Sequence, residues 1–395
     1  MKQQILDFID QNSADLNQLS ETIFNNPELK FNEYFAVEAL TNWLNENDFC
    51  VEKNVFGLET AFRAVFQNGE GGPSIGLLCE YDALEVGHAC GHHMQGPIMF
   101  LAAKALKALY HDKPYKLVIY GTPAEEGGQG KRIMLEHGGF KDIDIALMNH
   151  AASNTTVDIK SLAGAKLQFE FEGKAAHEAL FPELSRSAFD GMLLAFQGIE
   201  FLRGHVKDDV KFKYFIDEDK GKVKNDDTTT ACCHVNIRTY HEDDVEELMD
   251  RMIAVFEGAA LMTGTKVKSE KASRMKSKLP SLSLNKIMME NAEKLKAPEI
   301  IPFRKKTGST DFGFVTHILP GAVIRYPLAP EGISTHSTEF LDYCTGEHAH
   351  NMIRLAAKIL AWSMLDIIEN GTTLQKVQQE FYGRKQSKQT EFELL

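Results

Sequence analysis

Apolar side chains recur every three or four positions along residues 5–26 and 34–44. This interval keeps them on one face of a helix, so the pattern predicts two amphipathic helices. Farther along, short apolar runs alternate with helical stretches, which is typical of a mostly parallel sheet with crossover helices. The predicted strands are residues 61–67, 74–79, 116–120 and 143–148, and the predicted helices between them are 98–110 and 132–136.

The pattern changes after residue 162. Residues 166–172 alternate strictly between apolar and polar side chains, which predicts a strand with one buried face. The elements after it predict a compact α+β unit: helix 188–202, strand 228–240, helix 244–261 and strand 265–269. The α/β pattern returns from residue 284 and includes a long amphipathic helix at 347–368.

We therefore predict an α/β fold, in which a mixed-sheet domain with helices on both faces is interrupted by a smaller α+β domain of ferredoxin-like type. The first part of the larger domain is expected at residues 1–163, the insertion at 164–274 and the second part at 275–395. Residues 373–395 are polar and rich in Gln and Lys, which predicts a helix that frays.

Charge and composition narrow the classes of function. The chain has 43 Lys and Arg against 56 Asp and Glu, a net charge of −13, which disfavours binding to a phosphate backbone. Asp7, Asp10 and Gln11 interrupt the first apolar run, and no stretch approaches the ~20 apolar residues of a spanning helix. Six cysteines are too few for a disulfide scaffold. We expect a cytoplasmic protein without nucleic-acid or membrane partners.

Metal-binding side chains are densest directly after the predicted strand 74–79. His88, Cys90, His92 and His93 lie within six positions. Imidazole and thiolate are ligands that zinc prefers, and ligand sites form where the strands of an α/β sheet end. A structural zinc site would need a second Cys/His pair at close spacing, and none follows. The cluster therefore favours an open, catalytic type of site, the alternative being a Gly-His loop with a buried cysteine.

A pair of carboxylates, Glu125 and Glu126, follows the predicted strand 116–120. On a strand-to-helix turn, adjacent side chains point in different directions, so one can bind a cation while the other moves protons; the alternative is a solvated acidic turn. The glycines before Lys131 do not form a phosphate loop, because Glu125 stands where that motif needs a glycine and no Ser or Thr follows the lysine. His150 ends a strand and His336 lies in a polar loop, and either alone is more often a core or loop histidine.

Taken in order, five segments resemble the amidohydrolase branch of the dinuclear-metal aminoacylase and carboxypeptidase G family. This branch includes indole-acetyl-amino-acid, hippurate and aminobenzoyl-glutamate hydrolases. The segments are EYDAL at 80–84, GHACGH at 87–92, PAEEG at 123–127, the strand-end His150 and GKAAH at 173–177. The resemblance covers nearly the whole chain and implies that the inserted domain is the family's lid.

The resemblance implies two divalent cations, with zinc expected and manganese or cobalt as alternatives. It assigns Cys90 to the metal-bridging position, Asp82 to orienting a metal-bound ligand and Glu125 to the general base. The remaining ligands that it implies are His92, Glu126, His150 and His336.

In the lid, the resemblance implies that His177 reaches the substrate carbonyl across a homodimer interface. Asn225 and Arg238 form the implied substrate-binding pair, with the arginine holding a carboxylate. The implied substrate is an N-acyl amino acid or a dipeptide, and aminoacylase, dipeptidase and deacetylase activities stay open. A non-catalytic metal-binding or scaffold protein is the alternative outside enzymes; a base beside a full ligand set argues against it.

The sequence departs from the family pattern at three places. Glu85 replaces the proline that follows Asp-Ala-Leu, and His93 stands where Asp or Asn is common. After Asn225, residues 226–228 are Asp, Asp and Thr in place of Val/Ile-Ile-Pro. These changes affect the mouth of the site, leave a spare imidazole and weaken the assignment of Asn225.

Overall fold

The computed structural model describes residues 1–177, 179–217 and 229–387. The chain divides into two compact units. The larger unit comprises Met1–Lys160, Lys278–Thr307 and Asp311–Leu395, and the smaller comprises Ser161–Ser277 and Gly308–Thr310. The insertion predicted at 164–274 thus lies within the smaller unit's main segment, three residues inside each of its limits (164 − 161 and 277 − 274).

The helices of the described chain are, in order, α1 (Lys2–Gln11), α2 (Ala14–Phe24), α3 (Tyr34–Glu46), α4 (Gln95–Leu109), α5 (Gly130–Glu136), α6 (Ala188–Arg203), α7 (Asp244–Thr263), α8 (Leu282–Lys294), α9 (Phe312–Thr316), α10 (Thr338–Leu341), α11 (Gly346–Glu369) and α12 (Thr373–Ser387). The strands are β1 (Cys50–Lys53), β2 (Phe62–Asn68), β3 (Ser74–Cys79), β4 (Tyr115–Gly121), β5 (Ile145–Ala152), β6 (Thr156–Val157), β7 (Ala163–Glu172), β8 (Lys211–Ile216), β9 (Thr230–Thr239), β10 (Lys266–Met275) and β11 (Gly321–Pro327).

The larger unit is built on a seven-stranded mixed sheet with the order β1-β2-β4-β3-β5-β11-β6. Its centre is parallel, because β3 pairs in parallel with β4 and β5, and β5 with β11. These strands are nearly continuous apolar runs, as strands covered on both faces are. The predicted mixed α/β fold is confirmed. The parallel arrangement brings the carboxyl ends of β3, β4 and β5 to one edge of the sheet, where ligand sites form.

The smaller unit has the order of elements β7-α6-β8-β9-α7-β10 and an antiparallel sheet with the strand order β10-β7-β9-β8. This is the ferredoxin-like arrangement that the sequence predicts. The alternation in β7 buries Leu167, Phe169 and Phe171, and the ring of Phe169 stacks on Phe256 of α7 with 3.6 Å between centroids. The unit therefore has an apolar core of its own.

The structure corrects the first predicted element. Residues 5–26 do not form one helix, because α1 ends at Gln11 and α2 begins at Ala14. The Asn12 side chain donates a hydrogen bond to the Phe8 carbonyl, and a side chain that competes for backbone groups in this way favours a helix end. Strands β1 and β8 lie at sheet edges and are largely exposed, which explains why their apolar pattern is too weak to predict them. Among the described helices, none has the length and apolar character needed to cross a membrane.

Candidate metal and catalytic site

The candidate site lies at the carboxyl ends of the central strands. Glu80 and Asp82 follow β3, Glu125 and Glu126 follow β4, and His150 lies near the end of β5. The loop after β3 also carries Cys90, and His92 begins a single 3₁₀ turn that leads into α4. Segments far apart in sequence thus converge because parallel strands end at the same edge.

The predicted ligands fall into overlapping groups whose donor atoms lie within 4.8 Å of one another. One group consists of Cys90, Glu126 and His336, in which Glu126 Oε1 is 2.8 Å from Cys90 Sγ and 3.4 Å from His336 Nε2. A second consists of His92, Glu125 and Glu126. A third group consists of His150, His92 and Glu80. The structure therefore brings all five predicted ligands together.

His92 is held in a single orientation by Asp82. The Nδ1 atom of His92 lies 3.1 Å from Asp82 Oδ1, and the other carboxylate oxygen of Asp82 accepts the Glu126 N–H at 2.8 Å. This leaves His92 Nε2, which is buried without a hydrogen-bond partner among the described residues and lies 3.3 Å from Glu80 Oε2. A histidine oriented by a carboxylate with its second nitrogen unused is the usual state of a metal ligand, so these residues fit a metal site.

The charges at the site favour a cation. Burial lowers the pKa of His92, but Asp82, Glu80 and Glu126 outweigh burial and raise that pKa to about 10. His150 is different, because burial and then Arg325 lower its pKa well below the ordinary value. Its Nδ1 lies 2.9 Å from the Ala151 carbonyl, so the neutral ring has Nε2 available as a ligand.

Glu125 is half-buried among other carboxylates. Burial raises its pKa well above the ordinary value, and Glu80, Asp311 and Glu126 raise it further. A general acid–base residue must accept a proton from water and pass it on, and a raised pKa makes the carboxylate a stronger base for the first of these steps. The group lies within 4.8 Å of Glu126 and His92, so proton transfer would take place next to the candidate metal ligands.

Sequence reasoning missed a buried ion network behind Glu125. Lys131 is completely buried, and its Nζ atom lies 2.5 Å from Glu80 Oε1 and 2.6 Å from Asp311 Oδ1. Asp311 also accepts the Lys131 N–H at 2.9 Å. One lysine thus partly neutralises a group of three carboxylates, since Glu80, Asp311 and Glu125 lie within 4.8 Å of one another.

The remaining predicted residues lie elsewhere. His177 and Arg238 belong to the smaller unit and their side chains are exposed, and Asn225 lies outside the described residues. Arg238 is on β9, opposite Lys211 of β8. The spare imidazole of His93 is buried, with Nε2 2.8 Å from the Cys344 carbonyl, and it is not part of the candidate metal groups.

Comparison with protein families gives a match to the model of peptidase family M20/M25/M40 over residues 74–361, about three quarters of the chain. The chain belongs to this family. Two relatives match it over nearly their full length. It is 30% identical to one of the two subunits of p-aminobenzoyl-glutamate hydrolase of Escherichia coli (strain K12), covering 95% of this chain and 93% of that protein. It is 29% identical to Xaa-Arg dipeptidase of Mus musculus, covering 98% and 94%.

Solved structures share the fold. A dinuclear metal binding peptidase of the M20 family from Bacillus subtilis has a TM-score of 0.72 and 18% identity, covering 90% of this chain and 98% of that one. An aminobenzoyl-glutamate utilization protein from Klebsiella pneumoniae has a TM-score of 0.70 and 17% identity, covering 91% and 97%. These matches confirm the predicted family, its fold and the class of amide-bond hydrolase.

Proposed function

We propose that this M20-family chain is a metal-dependent amidohydrolase that cleaves the amide bond of an N-acyl amino acid or dipeptide with a free carboxylate. The observation that carries the proposal is the position of Glu125, a carboxyl group with a raised pKa, within 4.8 Å of His92 and Glu126. The proposed cofactor is a pair of divalent cations, zinc first, with manganese and cobalt as alternatives. Thiolate, imidazole and carboxylate together suit these ions.

Two divalent cations, if bound by these residues, would lower the pKa of a water molecule and polarise the amide carbonyl. Glu125 takes the proton of that water on its carboxylate and returns it to the nitrogen of the departing amine. Asp82 keeps His92 and the Glu126 backbone in place through the two contacts described above. On the family resemblance, His177 of a second protomer donates a hydrogen bond to the carbonyl oxygen, where negative charge develops.

The direct test is a panel of N-acyl amino acids and dipeptides, assayed after chelation and again after metal is added back. The panel includes the classes on which the relatives act, an aminobenzoyl-glutamate and an Xaa-Arg dipeptide, together with an N-acetyl amino acid for deacetylase activity. Hydrolysis that disappears with chelation and returns with metal is the expected result. Metal binding without turnover of any member would instead support the non-catalytic, metal-binding alternative.

On the family resemblance, Cys90 would help to hold both cations, so Cys90→Ala should lower the metal content. We expect the metal-to-protein ratio, measured by mass spectrometry of the metal, to fall from about two toward one or less, because both ions lose a shared ligand. The matched control is Cys233→Ala, which also removes a buried cysteine, but one that lies in the smaller unit and is not among the proposed ligands. If the Cys90 variant keeps the full metal content, the bridging role is wrong.

Arg238 is proposed to hold the substrate carboxylate. Arg238→Ala should lower kcat/KM for the free acid by about 10–10²-fold, because a hydrogen bond to a charged group contributes about 1.5–3 kcal/mol. The methyl ester should be a poor substrate for the wild type and be little affected by the substitution. Lys213→Ala is the control. Lys213 is a lysine of the neighbouring strand β8 that lies opposite Asn236, two residues before Arg238 on β9. Equal hydrolysis of the acid and the ester by the wild type would show that Arg238 does not hold the substrate carboxylate.

We also propose that the chain forms a homodimer through the smaller unit. Exposed apolar side chains on α6 and α7 support this: Phe201 is 73% exposed, Leu261 is 83% exposed and Met262 is 76% exposed. Light scattering of the purified protein measures the mass directly, and a monomer that is fully active would exclude the proposed action of His177 on a partner's substrate. The proposed compartment is the cytoplasm, where the six free thiols would stay reduced.

A further inference from the structure

A buried carboxylate outside the candidate metal groups contacts the turn that carries Glu125. Glu33 immediately precedes α3 and its relative exposure is 0%. Carboxylates are seldom buried completely unless they are paired with other groups. The partners of Glu33 therefore indicate why an acidic side chain is kept at this position.

The closest partners of Glu33 are backbone amides, and the Thr60 side chain also interacts with its carboxyl group. Its Oε1 atom accepts the Ala124 N–H at 2.8 Å and the Phe31 N–H at 2.9 Å. Its Oε2 atom is buried without a hydrogen-bond partner in the part of the chain that the structure describes. Burial raises the pKa of Glu33 to about 7, although the hydrogen bonds of the carboxyl group lower this pKa. The group is thus kept in a poorly solvated environment by two contacts to the main chain.

Both residues that donate these hydrogen bonds have unfavourable backbone conformations. Ala124 has φ +60° and Phe31 has φ +65°, in the left-handed region that side chains with a Cβ atom rarely adopt. Such conformations persist where surrounding contacts hold them, and they are frequent at functional sites. A single oxygen of Glu33 accepts both N–H groups, so this side chain is well placed to hold both conformations.

The residues that follow Ala124 are the proposed base and a proposed metal ligand. The turn that begins at Ala124 sets the direction in which Glu125 and Glu126 leave the end of β4. Asp82 holds the same turn two residues later, by accepting the Glu126 N–H. Two carboxylates therefore fix the backbone on either side of Glu125, and only Asp82 belongs to the residues that the sequence assigns.

We propose that Glu33 is a positioning residue of the active site, which holds Ala124 in its left-handed conformation and thereby aims Glu125 at the substrate and Glu126 at the metal. This inference rests on the proposed function. It assigns to the N-terminal segment before α3 a direct part in the geometry of the reacting groups.

The test compares three variants in the metal-loaded enzyme. Glu33→Ala removes the acceptor and should lower kcat by about 10²-fold with KM nearly unchanged, because misplacing a reacting group by ~1 Å has an effect of that size. Glu33→Gln keeps an oxygen at the same place and should retain most of kcat. Glu28→Ala is the matched control, since Glu28 accepts two backbone N–H groups, those of Phe35 and Ala36, at the same end of α3.

Metal affinity gives a readout that does not depend on turnover. Competition with a chelator of known affinity should show about 10–100-fold weaker binding in Glu33→Ala and wild-type binding in Glu33→Gln, as for other groups that support a metal ligand. The proposal is overturned if Glu33→Ala lowers only the melting temperature, or if Glu33→Gln loses as much kcat and metal affinity as Glu33→Ala. If Glu33→Ala does not fold, Glu33→Asp takes its place with the same expected losses and the same overturning results, because the side chain is one methylene shorter and its oxygen no longer reaches the Ala124 N–H. Should the wild type hydrolyse nothing, the proposed function fails, while the affinity measurement continues to test Glu33.

Discussion

Glu125→Gln is expected to lower kcat by about 10²–10⁴-fold, the usual contribution of a general acid–base group, while the metal content stays at the wild-type level. The amide has nearly the shape of the carboxyl group but cannot accept the proton of the attacking water. Steady-state kinetics on the best substrate of the panel, together with metal analysis of the same sample, measures both quantities.

Glu136→Gln is the control for this experiment, because Glu136 is an exposed carboxylate at the end of α5 that pairs with Arg132. It should retain wild-type kcat. A Glu125→Gln enzyme with wild-type kcat would show that another group accepts the proton, and loss of metal together with activity would indicate that Glu125 acts as a ligand.

Lys131→Met is expected to lower the free energy of unfolding by about 3–5 kcal/mol, the usual effect of removing one partner of a buried ion pair. The substitution leaves Glu80, Asp311 and Glu125 within 4.8 Å of one another without the buried cation that lies between two of them. Urea unfolding followed by circular dichroism gives the free energy. We expect turnover to fall as well, because Glu80 and Asp311 lie beside the proposed base.

Lys104→Met is the matched control, since Lys104 makes an ion pair with Asp15 that is partly exposed. Surface pairs of this kind contribute about 0–1 kcal/mol, so this variant should unfold almost as the wild type does. If Lys131→Met is as stable as Lys104→Met, the buried network does not support the larger unit in the way that its geometry indicates.

Much of the fold and of the site could be predicted because the relevant signals are local. Residues 74–79 and 116–120 are apolar runs that end next to polar motifs, and strands of an α/β sheet present their ligands at such ends. Cys90 and His92 lie two positions apart, and Glu125 and Glu126 are adjacent. His150 ends a predicted strand and His336 lies in a polar loop, but these placements alone do not indicate ligands, so both assignments depend on the family resemblance.

The supporting residues could not be predicted, because their partners are distant in sequence. Glu33 contacts Ala124 across 91 positions, and Lys131 contacts Asp311 across 180. No periodicity or spacing relates residues so far apart. The fully buried state of Lys131 is also contrary to the usual behaviour of lysine, so composition gives no indication of its place in the core.

The interruption of the larger unit has a consequence for how the protein is made. Strand β11 pairs with β5, and the loop with His336 follows β11, so both leave the ribosome only after the entire main segment of the smaller unit. The smaller unit has its own core and can fold while the sheet of the larger unit is still unfinished. A nascent chain therefore carries most of its proposed metal-binding side chains before it can complete the site, and full loading must wait until translation has passed residue 336.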